Sequence, residues 1–291
     1  MAPLAVTRRI DTRGSFKEEA AFLPFYGTEV FTMTYLPAGS PRVGLVICSS
    51  LLVEQLTNYR REVLLARELA RRNIAVLRFH YRGSGHSQGD DSTASWETLV
   101  QDARFAGAHL RSRTSVNVLS WMGARWGALV AAAAGRDQPN SPLLLWEPVV
   151  QTERYFQELF RSRRVRELND GRFSATDWRE EMAGRGHVDI LGHAFHRRLY
   201  ESTQGRRLDA LLAGTAHPTM IVQFGRGRSP RPDYQRLGEA IARGGGHLDI
   251  AYVHDEPAWF FPGYQMKSVD RLLSISCDWL CGAAVGRESG G

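Results

Sequence analysis

Lysine is nearly missing from this 291-residue chain: Lys17 and Lys267 are the only two among 37 basic residues. The formal charge of +6 is thus almost all arginine, a bias that reads as genomic base composition, and no nucleic-acid partner is expected. Cysteine is scarce as well. Cys48, Cys277 and Cys281 make an odd count without CxxC or paired histidine spacing, which excludes a disulfide framework and a zinc site. Cys48, inside an apolar run, reads as a small core hydrophobe. No apolar run reaches the roughly 18 residues a membrane helix needs. The opening MAPLAVTRRIDTRG also lacks an apolar core behind a basic start, so no transmembrane segment and a cytoplasmic location are expected. Tight metal-ligand spacing is missing too. His193 and His196 stand three apart on an expected helix, without an assigned carboxylate, so neither metal nor cofactor is expected.

What is present is enough apolar residue, 43% of the chain, to bury a full core. Phe31 to Tyr35 alternates as a half-buried antiparallel strand does. Val43–Cys48 is a continuous apolar run, and Ile74–Phe79, Leu143–Trp146, Met220–Phe224 and Leu248–Val253 read as further short strands, each trailed by a helical pattern such as 57–71 or 95–110. Strand alternating with helix predicts an α/β fold with a mostly parallel sheet and helices on both faces. Between Pro148 and Gly214 the pattern breaks into a basic amphipathic helix, TERYFQELFRSRRVRELND, then polar turns and a second helical stretch over 195–211. The expected organisation is therefore a core over 1–147, an inserted helical lid over 148–214, the rest of the core over 215–285 and a disordered tail over 286–291. An insertion after a strand's carboxyl end lies where ligands bind in open α/β sheets.

The stretch that organises the chain is VNVLSWMGARWGALVAAAAG, 116–135: a buried strand, a glycine turn and a small-residue helix. Gly123-Ala-Arg-Trp-Gly127 has the G-x-S-x-G spacing of a nucleophile elbow, but its centre is Arg125. A guanidinium stays protonated and has no lone pair with which to attack a carbonyl. The frame of an enzyme is present without its nucleophile. A literal G-x-S-x-G does occur at Gly85-His-Ser-Gln-Gly89, yet polar residues separate it from the next helix, and an elbow must open a helix directly. Ser87 is not expected to be a nucleophile.

With these features placed, the chain resembles the α/β-hydrolase superfamily over about 26–281, and within it the exosortase A system-associated hydrolases of type 2. The resemblance is carried by Leu52-Val-Glu54, Asn58-Tyr-Arg-Arg61, Trp96-Glu97, Gly123-Ala-Arg-Trp-Gly-Ala128, Leu145-Trp-Glu-Pro148 and Glu256-Pro-Ala-Trp259. It implies a bacterial protein linked to surface polysaccharide or protein export. Active members order their triad serine, acid, histidine. Here the serine slot holds Arg125, the acid slot reads Gly225-Arg-Gly-Arg-Ser-Pro230, and the histidine slot offers His254 at a strand end.

The expectation is a non-catalytic binder of an anionic or acyl small molecule. Arg125, Trp126, Glu54, Glu256 and Trp259 are its candidate ligand-binding residues, and the loop of Leu51, Leu52 and Val53 is its oxyanion-hole-like wall. Two alternatives stay open. One is an active ester, thioester or amide hydrolase using an unrecognised nucleophile, with Ser120 and His254 as weak catalytic candidates. The other is a protein-interaction partner with a filled pocket, using the basic lid helix. In any reading a cation at a helix N-terminus demands a carboxylate, from Glu54, Glu147 or Glu256.

Overall fold

The computed structural model describes residues 7–10, 14–138, 140–171, 177–255, 259–260 and 269–285. In chain order the elements are β1 (Thr7–Ile10), β2 (Phe16–Phe25), β3 (Thr28–Pro37), β4 (Val43–Cys48), α1 (Leu52–Arg71), β5 (Ile74–Phe79), α2 (Trp96–Thr114), β6 (Val118–Ala124), α3 (Gly127–Gly135) and β7 (Leu143–Trp146). There follow α4 (Thr152–Asn169), α5 (Trp178–Arg185), β8 (His187–Ile190), β9 (His193–His196), α6 (Arg197–Thr203), α7 (Leu208–Leu212), β10 (Pro218–Phe224), α8 (Pro232–Arg243), β11 (His247–Val253) and α9 (Val269–Val285).

One nine-stranded sheet runs in the order β1-β2-β3-β5-β4-β6-β7-β10-β11. Strands β4, β5, β6, β7, β10 and β11 pair in parallel, while β1, β2 and β3 form an antiparallel flank. Their sequences follow from this placement. The interior strand β4 is a continuous apolar run and β5 is apolar but for the buried Arg78, because both faces are covered, whereas β3 alternates. One face packs against α2, α3 and α8, through residues such as Leu99, Ala131 and Leu237. The other carries α1 and α9, through Leu65, Leu69, Leu272 and Leu280.

The chain leaves the carboxyl end of β4 toward β5 on one side and that of its neighbour β6 toward β7 on the other. That split creates a crevice at the strand ends. The loops after β4 and β6 both border it. Between β7 and β10 lies the insertion, whose helix α4 presses Tyr155 and Phe156 onto Trp126 at the start of α3.

Three local expectations are corrected. Helix α1 begins at Leu52 instead of near Thr57, because Leu52 takes a left-handed φ of 53° and turns the chain directly into the helix. His193 and His196 sit at the two ends of strand β9 in a hairpin with β8, so a spacing of three puts them on opposite faces and not on a shared helical one. The helical stretch expected over 195–211 is instead the end of β9 and two short helices, α6 and α7. The tail 286–291 lies outside the described residues. No helix among the described residues is long and apolar enough to cross a membrane.

Candidate functional site

Arg125 stands at the turn between β6 and α3 with φ of 50°, a conformation that costs a non-glycine residue strain and is held by its neighbours. Its N–H donates to the Trp146 carbonyl at 2.9 Å, and its own carbonyl accepts from Ala128 and Val149 at 3.2 Å each. The flanking glycines are steric necessities. A Cβ on Gly123 would lie 2.2 Å from the Gly127 carbonyl, and one on Gly127 would lie 2.0 Å from the Cys48 carbonyl oxygen. Strand β6, helix α3 and strand β4 therefore meet backbone to backbone, which lifts residue 125 to the sheet's carboxyl edge.

The guanidinium is held on two edges. Nε donates to Glu54 Oε1 at 2.9 Å, and Nη2 donates to Glu158 Oε2 at 2.7 Å. Glu54, in the first turn of α1, is fully buried, and its second oxygen accepts from the Tyr155 hydroxyl at 3.2 Å. The rings of Tyr155 and Trp259 lie 5.7 and 5.6 Å from the guanidinium carbon. Burial alone would weaken the arginine's hold on its proton, but Glu54 and Glu158 outweigh it and raise its pKa above the ordinary value. Burial pushes the Glu54 carboxyl up, against the pull of Arg125 and Tyr155. Burial, then Glu54, raises the Tyr155 hydroxyl far above its usual range, so it stays a neutral donor. The turn between β6 and α3 thus carries an internal ion cluster.

The remaining candidates fall in different places. Leu51 precedes α1, and Leu52 and Val53 are its first residues; Leu51 and Leu52 line a cleft of about 280 Å³ with Arg82, Ser84 and His196, while Val53 lines a different one with Arg163 and Phe260. Trp126 does not face a cavity: its indole is fully buried between α3 and α4. Trp259 is buried against Phe224, with the Thr57 hydroxyl donating to its carbonyl at 3.1 Å. Glu256 lies outside the described residues. Ser120 is enclosed within β6 and its hydroxyl has no hydrogen-bond partner, so it cannot reach a substrate. His254 is exposed just past β11.

No carboxylate occupies the acid slot after β10 among the described residues; Asp233, in the first turn of α8, is taken by Arg154 at 2.5 Å and by Arg236. Glu147 does not pair with Arg125 directly: it accepts from the Phe224 N–H at 2.8 Å and pairs with Arg231, stapling β7 to β10. Ser87 is structural. Its hydroxyl donates to the His80 carbonyl at 2.7 Å and accepts from the Phe31 N–H at 2.9 Å. Burial, with His86 and Arg78 nearby, lowers the His80 pKa to about 4, so its Nδ1 is free to accept the His86 N–H at 2.9 Å.

Sequence reasoning missed Tyr155 and Glu158. They stand three apart on α4, hence on one helix face, and that spacing was the available signal. The space that Arg125 itself lines, with Tyr155, Glu158 and Arg231, is only about 80 Å³. A larger cleft of about 390 Å³ lies beyond Glu158, between α4, Leu191, Trp259 and Phe260.

Known proteins place this geometry. The serine aminopeptidase, S33, family matches residues 41–176. Among solved structures, Est1E of Butyrivibrio proteoclasticus, bound to ferulic acid, superposes with a TM-score of 0.67 at 12% identity, covering 90% of this chain and 98% of its own. The chain has the α/β-hydrolase fold. An α/β serine hydrolase homologue from Coxiella burnetii gives 0.56 at 17% identity, over 90% of this chain and 97% of that one. Proline iminopeptidase of Mycobacterium smegmatis gives 0.57 at 12%, over 92% and 99%. No curated protein matches. Within this fold Arg125 stands at the tight turn that joins β6 to α3. Among the described residues no group of three or more His, Cys, Asp or Glu is placed to hold a metal ion.

Proposed function

We propose that this protein is a non-catalytic member of the α/β hydrolases that binds an anionic ligand with an acyl or other apolar tail. The observation that carries the reading is Arg125 itself, at the elbow with φ of 50° and with Glu54 bound to its Nε. A cation in that position can orient a carboxylate or phosphate and cannot attack one. The cleft beside it supplies Val165, Leu191, Trp259 and Phe260 for the tail. In this reading the insertion carrying α4 acts as the lid. The cytoplasmic setting and the link to exosortase A-type export rest on the sequence alone.

Against the active-hydrolase alternative stand two serines: Ser120 is enclosed, and Ser87 is tied to backbone on both sides. The interaction-partner reading has one specific observation behind it: α4 turns Val165 and Leu168 outward, 42% and 60% exposed. Calorimetric titration with decanoate separates the readings. Wild type is expected to bind, and the charge-balanced double variant Arg125→Gln, Glu54→Gln to bind about tenfold or more weakly, the value of one charge-assisted hydrogen bond. Equal binding by the two proteins, or none by wild type, would refute the ligand reading.

A further inference from the structure

The two carboxylates on Arg125 are not equivalent. Glu54 is fully buried, whereas the Glu158 side chain is 57% exposed although it makes the shorter contact, 2.7 Å against 2.9 Å. Releasing Glu54 would leave a charge unpaired in the core. Releasing Glu158 returns it to water, and an ion pair with one solvated partner contributes little net stability.

Position makes the difference useful. Glu158 lines both the small space at Arg125 and the 390 Å³ cleft, so it stands between them. Trp259 likewise forms part of the cleft wall and lies 5.6 Å from the guanidinium carbon. A carboxylate at the end of an apolar chain lying against Trp259 and Phe260 would arrive where Glu158 Oε2 now sits. Arg161, one helical turn on from Glu158 and lining the same cleft, is placed to receive the displaced glutamate at a spacing of three. Arg166 at the rim is already engaged by Asp170 at 2.9 Å.

We propose that Glu158 is an internal latch on Arg125, which the carboxylate head of an apolar-tailed ligand displaces while the Glu54 pair stays intact. This rests on the ligand reading above and adds a competitor to it. Glu158 opposes binding twice, by occupying Nη2 and by repelling the incoming anion. The wild-type affinity is therefore lower than the site could give.

The test is calorimetric titration of decanoate into wild type, Glu158→Gln and Glu158→Ala, with decanol as the uncharged control and thermal melting to confirm the fold. Both variants are expected to bind decanoate about three- to fivefold more tightly, the size of one exposed ion pair, with decanol binding unchanged. The alanine variant carries no amide to reoccupy the site. Unchanged or weaker decanoate binding in both variants overturns the latch while leaving the ligand reading in place. A matching gain for decanol overturns it as well, since the effect would then be one of space. If no protein in the set binds decanoate, the ligand reading falls and the latch with it.

Discussion

Arg125→Ser is expected to destabilise the fold by about 3–5 kcal/mol and to create no esterase, because breaking a buried pair from one side leaves an uncompensated charge. Glu54 is fully buried, and of its two partners at 2.9 and 3.2 Å only the Tyr155 hydroxyl would remain. Two effects run the other way. Removing a cation from a helix N-terminus relieves roughly 0.3–1 kcal/mol, and Glu54 can take up a proton, a tendency its raised pKa already shows. Neither matches the loss. The backbone strain at φ of 50° is the same for serine as for arginine, so it does not enter the difference. Urea unfolding measures the change, and adding Glu54→Gln to the variant should recover most of it. A loss below about 1 kcal/mol would mean that the pair is not holding the site.

Gly127→Ala is expected to be worse, exceeding about 4 kcal/mol and leaving little folded protein. The added Cβ would meet the Cys48 carbonyl oxygen at 2.0 Å and that of Ser49 at 2.9 Å. Neither atom can yield. Cys48 ends β4, a central strand hydrogen-bonded on both sides, so relief would require parting α3 from the sheet. Gly184→Ala is the matching control. It lies in α5, nothing stands within 4 Å of its added Cβ, and alanine there should leave stability unchanged or slightly raised. Circular dichroism with thermal melting reads both; a Gly127→Ala protein melting within a few degrees of wild type would show that the elbow is not packed as described.

The parts of the fold that could be read from the sequence are those decided locally. Val43–Cys48, Ile74–Phe79 and Leu143–Trp146 coincide with β4, β5 and β7 because burial on both faces keeps them apolar from end to end, save for Arg78 in β5, which pairs with the buried Glu62. The elbow was legible because close backbone approach demands glycine at 123 and 127 whatever lies elsewhere. The need for a carboxylate near Arg125 was legible as electrostatics, and Glu54 meets it.

Other features depend on docking across the chain. The early start of α1 rests on a left-handed Leu52 that no side-chain cap announces. The β8–β9 hairpin has four-residue strands, too short for alternation to separate them from a helix. Glu158 looks like any acidic residue on a basic helix, and its contact with Arg125 exists only because Tyr155 and Phe156 seat α4 on Trp126.

The central claim is that the elbow of this α/β-hydrolase-fold protein does no covalent chemistry, and intact-mass measurement after incubation with a fluorophosphonate probe tests it most directly. The wild-type protein is expected to keep its unmodified mass, since Arg125 offers no nucleophile and Ser120 and Ser87 are closed off. A stoichiometric adduct that disappears on replacing a single serine by alanine would contradict the account and restore the protein to the active hydrolases.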